Sequence, residues 1–294
     1  MGRENWACHQ LSKLSKGSYL LFIDADTRLG QYAVSSGIRE IQENNLEFLT
    51  LIPKRKILNF TDYLIWIMVS FFILCWVPML IAKKLPYSLF AAGFGQFLLF
   101  NKEAYIKIGG HEKIKGLVLD DFELARSIKT FGFSASVLDG TNIVETNGYK
   151  SSIEAVDGHA KSIFATFRYN ILFFIFAFFG LLILFYLPFL NLFSYFLGIE
   201  LQSNFLTLSL LSIACIFGSI LISSKSFSLS FFSSFLYPFA MIVLLFSAYR
   251  SFLSSFDGDL KWKGRSTPSV GLRKLYSIIF APFFFINWIL KKIR

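Results

Sequence analysis

Between Ile171 and Tyr249 the only charged residues are Glu200 and Lys225. One membrane crossing takes about 20 consecutive apolar residues, so this stretch holds more than one. Composition agrees: only 16% of the 294 residues are charged and 54% are hydrophobic, whereas about 25% are charged in an ordinary soluble domain. The earlier part differs in kind. From Met1 to Phe167 charges, Gly and short apolar runs are mixed, as in a globular domain. The sequence therefore divides into an α/β domain over 1–166 and an all-α transmembrane region over 167–294.

Strand and helix patterns alternate in the first part, which argues α/β. Trp6 to Leu14 reads as a helix with Leu11 and Leu14 on one face. Tyr19-Leu-Leu-Phe-Ile23 is a continuous apolar run, the pattern of a strand buried on both faces in a parallel sheet. Further helices are predicted over Tyr32–Asn44, Asn101–Ile108 and Asp120–Phe131, and strands over Phe48–Ile52 and Ala135–Leu138. A parallel sheet that starts at residue 19 lacks upstream neighbours, so the chain reads as beginning inside a domain. Ile65 to Ala82 is uncharged, yet acidic motifs flank it. If those motifs form one site they share one membrane face, so segment 60–84 is expected to be interfacial or re-entrant. Trp66, Trp76, Lys83 and Lys84 would anchor it.

Two acidic motifs carry the chemistry. Asp24-Ala25-Asp26 closes the first apolar strand, at the end where open α/β sheets bind ligands. Two carboxylates one residue apart can hold a divalent cation and, through it, a diphosphate; a polar turn after a strand is the plain alternative. Asp120-Asp121-Phe122-Glu123 opens a helix. Asp120 as N-cap with Glu123 three residues on resembles a capping box. A cap does not need Asp121, which could act as a general base. Ala92-Gly93-Phe94-Gly95-Gln96 would let backbone approach a substrate, or form a simple turn. His111 and His159 have no third ligand at metal spacing and read as surface or hydrogen-bonding residues.

The formal charge of +10 fits cytoplasmic loops and anionic lipid. The basic residues lack the aromatic interleaving of RNA binders, so nucleic acid is not an expected partner. Cys8, Cys75 and Cys215 form no C-x-x-C pair and imply neither a disulfide framework nor a zinc site. Met1 leads through polar residues into an amphipathic segment, without a signal-peptide pattern.

In this order the motifs resemble glycosyltransferase family 2. The likeness is to its membrane branch, with the ceramide glucosyltransferases, hopanoid-associated enzymes and carotenoid (diaponeurosporenoate) glycosyltransferases. It rests on four blocks. They are Trp6-Ala-Cys8 with Gly17 to Thr27, Gly93 to Gln96 with Phe100 to Tyr105 and Ile108 to His111, Leu119 to Arg126, and Trp262-Lys-Gly-Arg265. The resemblance implies a partial GT-A-type nucleotide-sugar transferase domain, without the family's first nucleotide-binding strands. It implies that Asp24 and Asp26 bind Mg²⁺ or Mn²⁺ and the donor diphosphate, that Gly95, Gln96 and Lys161 line the donor site, and that Asp121 is the base. The reaction implied is inverting transfer from a nucleotide sugar to a lipid or membrane-associated acceptor, in the plasma membrane with the catalytic domain cytoplasmic. The family's Q-x-x-R-W motif is replaced by Gly158-His-Ala-Lys-Ser-Ile-Phe164, in which Lys161 is the only cation. That departure argues against a processive polysaccharide synthase.

The competing readings are an inactive membrane protein descended from such an enzyme, and a transporter or flippase. Intramembrane ionisable residues would mark the last, and Ile171 to Tyr249 offers only two. The topology expected places segments 171–198 and 204–223 as an out-and-back pair, Glu200 outside and Lys225 inside. Segment 227–249 has Pro238 and five Ser between positions 226 and 234, so it is expected to take a re-entrant or interfacial path. The basic loop 250–274 would then stay on the catalytic side.

Overall fold

The computed structural model describes residues 3–76, 91–115, 117, 119–199, 203–257, 261–262 and 265–266. It is a mixed α/β structure with two small sheets and three helices long and apolar enough to cross a membrane. Helix α1 (Arg3–Leu14) leads to β1 (Tyr19–Phe22), β2 (Thr27–Leu29), α2 (Ala33–Glu43), β3 (Phe48–Ile52), β4 (Lys54–Lys56) and α3 (Phe60–Trp76). Then come β5 (Leu98–Asn101), α4 (Lys102–Lys107), α5 (Gly110–Lys113), α6 (Asp120–Thr130), β6 (Ala135–Asp139), β7 (Val144–Asn147) and α7 (Ser152–Thr166).

The larger sheet has the order β1-β5-β3-β6. β5 runs antiparallel to both β1 and β3, while β3 and β6 are parallel. The expected parallel strand at 19–23 is therefore an antiparallel edge strand. Only Leu20 within it is fully buried, and its outer side pairs with no strand among the described residues. A continuous apolar run does not distinguish a central strand from an edge one. The strand buried at every position is β3. On one face of the sheet Leu20, Phe48, Leu98 and Phe100 pack with Tyr105, Ile108, Leu124 and Ile128 of α4 to α6. On the other, Leu49, Leu51 and Leu99 pack with Ala33 and Ile41 of α2.

Three strands of this sheet continue into the smaller one, order β2-β7-β4. β1 passes through Asp24 to Asp26 into β2, β3 through Pro53 into β4, and β6 through Gly140 to Ile143 into β7. The D-x-D turn thus sits at the joint of the two sheets, closed by Thr27 N–H donating to Asp24 O at 3.0 Å.

Helix α1 is turned inside out. Its polar Asn5, His9 and Ser12 are buried, while Trp6, Leu11 and Leu14 are exposed. Helix α3 is apolar all round, which marks a buried helix: Ile65, Ile67 and Met68 are fully covered. Trp66 is not the interfacial anchor expected, because the Arg55 guanidinium and the edge of Phe227 cover its ring. The side chains of Trp76, Lys83 and Lys84 lie outside the described residues.

The helical part comprises α8 (Ile171–Phe196), α9 (Ser203–Ser226), a 3₁₀ helix (Phe231–Phe235) and α10 (Tyr237–Asp257). Leu64, Ile65 and Met68 of α3 and Ala155 of α7 share one core with Phe185, Ile216, Ile220, Tyr237 and Met241. Residues from both sides of the boundary expected at 166–167 thus share one core. Of the candidate spans, α8 and α9 are each 17% buried and α10 is 56% buried, so α10 is the inner one. The Ser-rich stretch after Ser226 forms no α-helix. Pro238 lies in the first turn of α10, where its missing N–H costs nothing. Arg250, counted above with the basic loop, belongs to α10 and pairs with Asp157 of α7. The short strands β8 (Lys261–Trp262) and β9 (Arg265–Ser266) form a hairpin, and β8 lies against α7. The rest of the basic loop, and Glu200, lie outside the described residues.

Candidate functional site

The chain brings Asp24, Gly95, Gln96 and Asp121 together from three separate segments. Asp24 leaves the end of β1. Its Oδ2 accepts from Gln96 Nε2 at 2.6 Å. The next residue back, Gly95, donates its N–H to Asp121 Oδ2 at 3.2 Å. The loop over 93–96 therefore bridges the two acidic motifs. Glycine is required at position 93 and fits closely at position 95. A Cβ on Gly93 would strike the Asp121 carbonyl oxygen, and one on Gly95 would sit 3.1 Å from both Asp24 carboxylate oxygens. These close approaches explain the sequence Gly-Phe-Gly-Gln better than a simple turn does.

Asp121 stands in the first turn of α6. Its Oδ1 accepts from Phe122 N–H at 2.8 Å. Burial drives its pKa up, the neighbouring Asp120 and Asp24 charges add to that, and the bonds from Phe122 and Gly95 counter it only in part. The result is a carboxyl raised to about 7. The capping box read from the sequence does not form. Leu119 is the N-cap residue, Asp120 Oδ1 accepts from Asp121 N–H at 3.1 Å, and Glu123 reaches across to Arg168 at 3.1 Å. The acidic start of α6 thus holds more negative charge than a cap needs, and that charge bears on Asp121.

Asp26 is exposed and Asp24 half-buried. Both offer oxygen donors, the set suited to a hard cation that takes one or two carboxylates and completes its shell with phosphate and water. Among the described residues no group of three or more His, Cys, Asp or Glu is placed to bind a metal by itself. Thr27, next to Asp26, has a buried hydroxyl without a hydrogen-bond partner. Lys161 is half-buried on α7.

Neither singled-out histidine is a surface residue. His111 is buried, with Nδ1 2.7 Å from Tyr105 Oη; burial, then the nearby His9, lowers its pKa to about 4. His159 belongs to a cluster that sequence reasoning missed. Arg55 of β4 donates to the fully buried Asp62 of α3 at 2.8 Å, and its guanidinium also lies over Trp66 and Tyr149. His159 Nε2 of α7 lies 3.9 Å from Asp62 Oδ1. Burial lowers the pKa of His159. Burial would raise that of Asp62, but His159 and Arg55 outweigh it and hold the carboxyl below its ordinary value. The alternation of Lys54-Arg55-Lys56, which turns only Arg55 inward, is the one sequence signal that could have found this cluster. No family model matches the chain, and no curated protein is significantly similar to it.

Proposed function

We propose that this protein is a GT-A-type glycosyltransferase. In this reading it transfers a sugar from a nucleotide-sugar donor to a hydroxyl of a lipid or membrane-associated acceptor, with inversion and with Mg²⁺ or Mn²⁺. The observation that carries the reading is the Asp121 carboxyl, raised to about 7 and tied through Gly95 and Gln96 to Asp24. A general base works best with a pKa near the operating pH, and perturbed carboxylates in such settings mark functional sites. Asp121 takes the proton of the acceptor hydroxyl as its oxygen bonds to the anomeric carbon and the nucleoside diphosphate departs. Asp24 and Asp26 would hold the cation, which supplies charge stabilisation to the leaving diphosphate. Gln96 fixes the carboxylate of Asp24. Lys161 is the proposed phosphate contact, on its sequence position. Three apolar helices support an acceptor drawn from the bilayer, and the basic residues after α10 support a cytoplasmic site; the plasma membrane is what the family resemblance implies.

The test is sugar transfer from a panel of nucleotide sugars to membrane lipids, with and without chelator, by the protein and its Asp121→Asn variant. Chelation should abolish transfer. The variant should retain donor binding but turn over roughly 10²–10⁴ times more slowly. Near-normal turnover by Asp121→Asn would sink the assignment.

A further inference from the structure

Strand β3 reads Phe-Leu-Thr-Leu-Ile, and all five residues are buried. Thr50 is its only polar side chain and has no exposed surface. A buried hydroxyl is costly unless it is hydrogen-bonded, and Val would fill the same space in a strand without that cost. Among the described residues the Thr50 hydroxyl is bonded to one residue only. It accepts from Phe94 N–H at 2.9 Å and donates to Phe94 O at 3.4 Å. Phe94 O also accepts from Phe97 N–H at 2.9 Å, which closes the turn into β5. On its other side the loop lies against α6, with Gly93 on the Asp121 carbonyl. The 93–96 loop is therefore gripped from the sheet by Thr50 and faces the two acidic motifs with Gly95 and Gln96.

We infer that Thr50 is a positioning residue for the site: its hydroxyl sets the loop so that Gly95 N–H meets Asp121 and the Gln96 amide meets Asp24. The consequence for turnover rests on the transferase reading, whereas the loop's placement does not. Sequence alone hides this role, because the contact joins residues 44 positions apart.

The experiment is amide hydrogen exchange on the whole chain in detergent, comparing wild type, Thr50→Val and Thr50→Ser, followed by the transfer assay. Thr50→Val should speed exchange at residues 94–97 on the order of tenfold, the scale of one lost hydrogen bond, while β5 and β6 exchange as before. Thr50→Ser, which keeps the hydroxyl, should match wild type. In the assay Thr50→Val should lower kcat, and Thr50→Ser should restore it. Unchanged exchange at 94–97 in Thr50→Val would overturn the inference, as would equal acceleration through β3, β5 and β6, since Thr50 would then serve the sheet. The expected exchange pattern in a chain that transfers no sugar would count against the transferase reading and leave the role of Thr50 standing.

Discussion

Asp121 is part-buried and Asp62 fully buried, and their carboxyl pKa values shift in opposite directions because their neighbours differ in sign. Around Asp121 stand Asp120 and Asp24; around Asp62 stand Arg55 and His159. Linkage gives each a pH signature. Asp121, raised to about 7 from an unfolded value of 3.8, holds its proton in the folded state while the unfolded chain has lost it. Stability from this group therefore falls as pH rises from about 4 towards 7. Asp121→Asn should raise the Tm at pH 8 and leave it nearly unchanged at pH 4; calorimetry at the two values checks this. A residue that weakens the fold it sits in is what a functional site predicts. Asp62 works the other way. Its folded pKa lies below 3.8, so its contribution is present above that value and is lost as pH falls through the folded pKa. Arg55→Ala strands a buried carboxylate and should cost about 3–5 kcal/mol, read from denaturant unfolding. A change within about 0.5 kcal/mol would instead class the pair with surface salt bridges.

The elements were legible wherever local chemistry decides them. Phe48–Ile52 is a strand, and Asn101 caps its helix by accepting from Glu103 and Ala104 N–H. Their partners were less legible. The run Tyr19–Ile23 looks central by pattern and is an edge, since strand order depends on residues about eighty positions away. Trp66 has an anchor's chemistry but is covered by Arg55 and Phe227, which come from β4 and from beyond α9. Of the candidate site residues, hydrogen bonds join Asp24, Gly95, Gln96 and Asp121; the capping pattern at Asp120 misled, because three acids in the first turn repel as well as cap. The loop before β5 shows what local reading misses. Gly93 looks like a flexible turn residue, yet it is where α6 touches the loop. Gly93→Ala should force the loop off α6, abolish transfer and leave the β3–β5–β6 exchange protection intact. Full activity in that variant would show that the approach of loop and helix is not needed.

Contacts along the helices fix how the three candidate spans lie against one another. Phe174 of α8 stacks on Phe252 of α10, and Phe189 meets Tyr237. Both pairs span fifteen residues, roughly 22 Å of helix, so the two helices run antiparallel in register. Asn191 of α8 bonds Ser209 of α9 at 3.1 Å. Counting seventeen residues back along α8 and on along α9 brings Ser226 level with Phe174, near the end that follows α7. Helices α8 and α9 thus run antiparallel, as the expected out-and-back pair would. Phe231 and Phe235 then touch Phe217, halfway up α9. The chain thus runs back along α9 as a turn and a 3₁₀ helix, and α10 returns from the level of Phe189 to that of Phe174. Ser233 and Ser234 of this stretch are fully buried, as irregular backbone inside a bilayer would have to be. This geometry fits the expected re-entrant path, in which residues 227–257 would enter the bilayer and leave by the same side, although α10 is also long enough to cross. The hairpin of β8 and β9 against α7 agrees, and so does the positive-inside rule for Lys261, Lys263, Arg265, Arg273 and Lys274. The check is an impermeant thiol reagent on single-cysteine proteins in intact cells and in inverted vesicles. Cysteines at positions 225 and 262 should react only in inverted vesicles, and one at position 200 only in intact cells. Labelling of position 262 together with position 200 would show that α10 completes a third crossing, and that the basic segment after it faces outward against its charge.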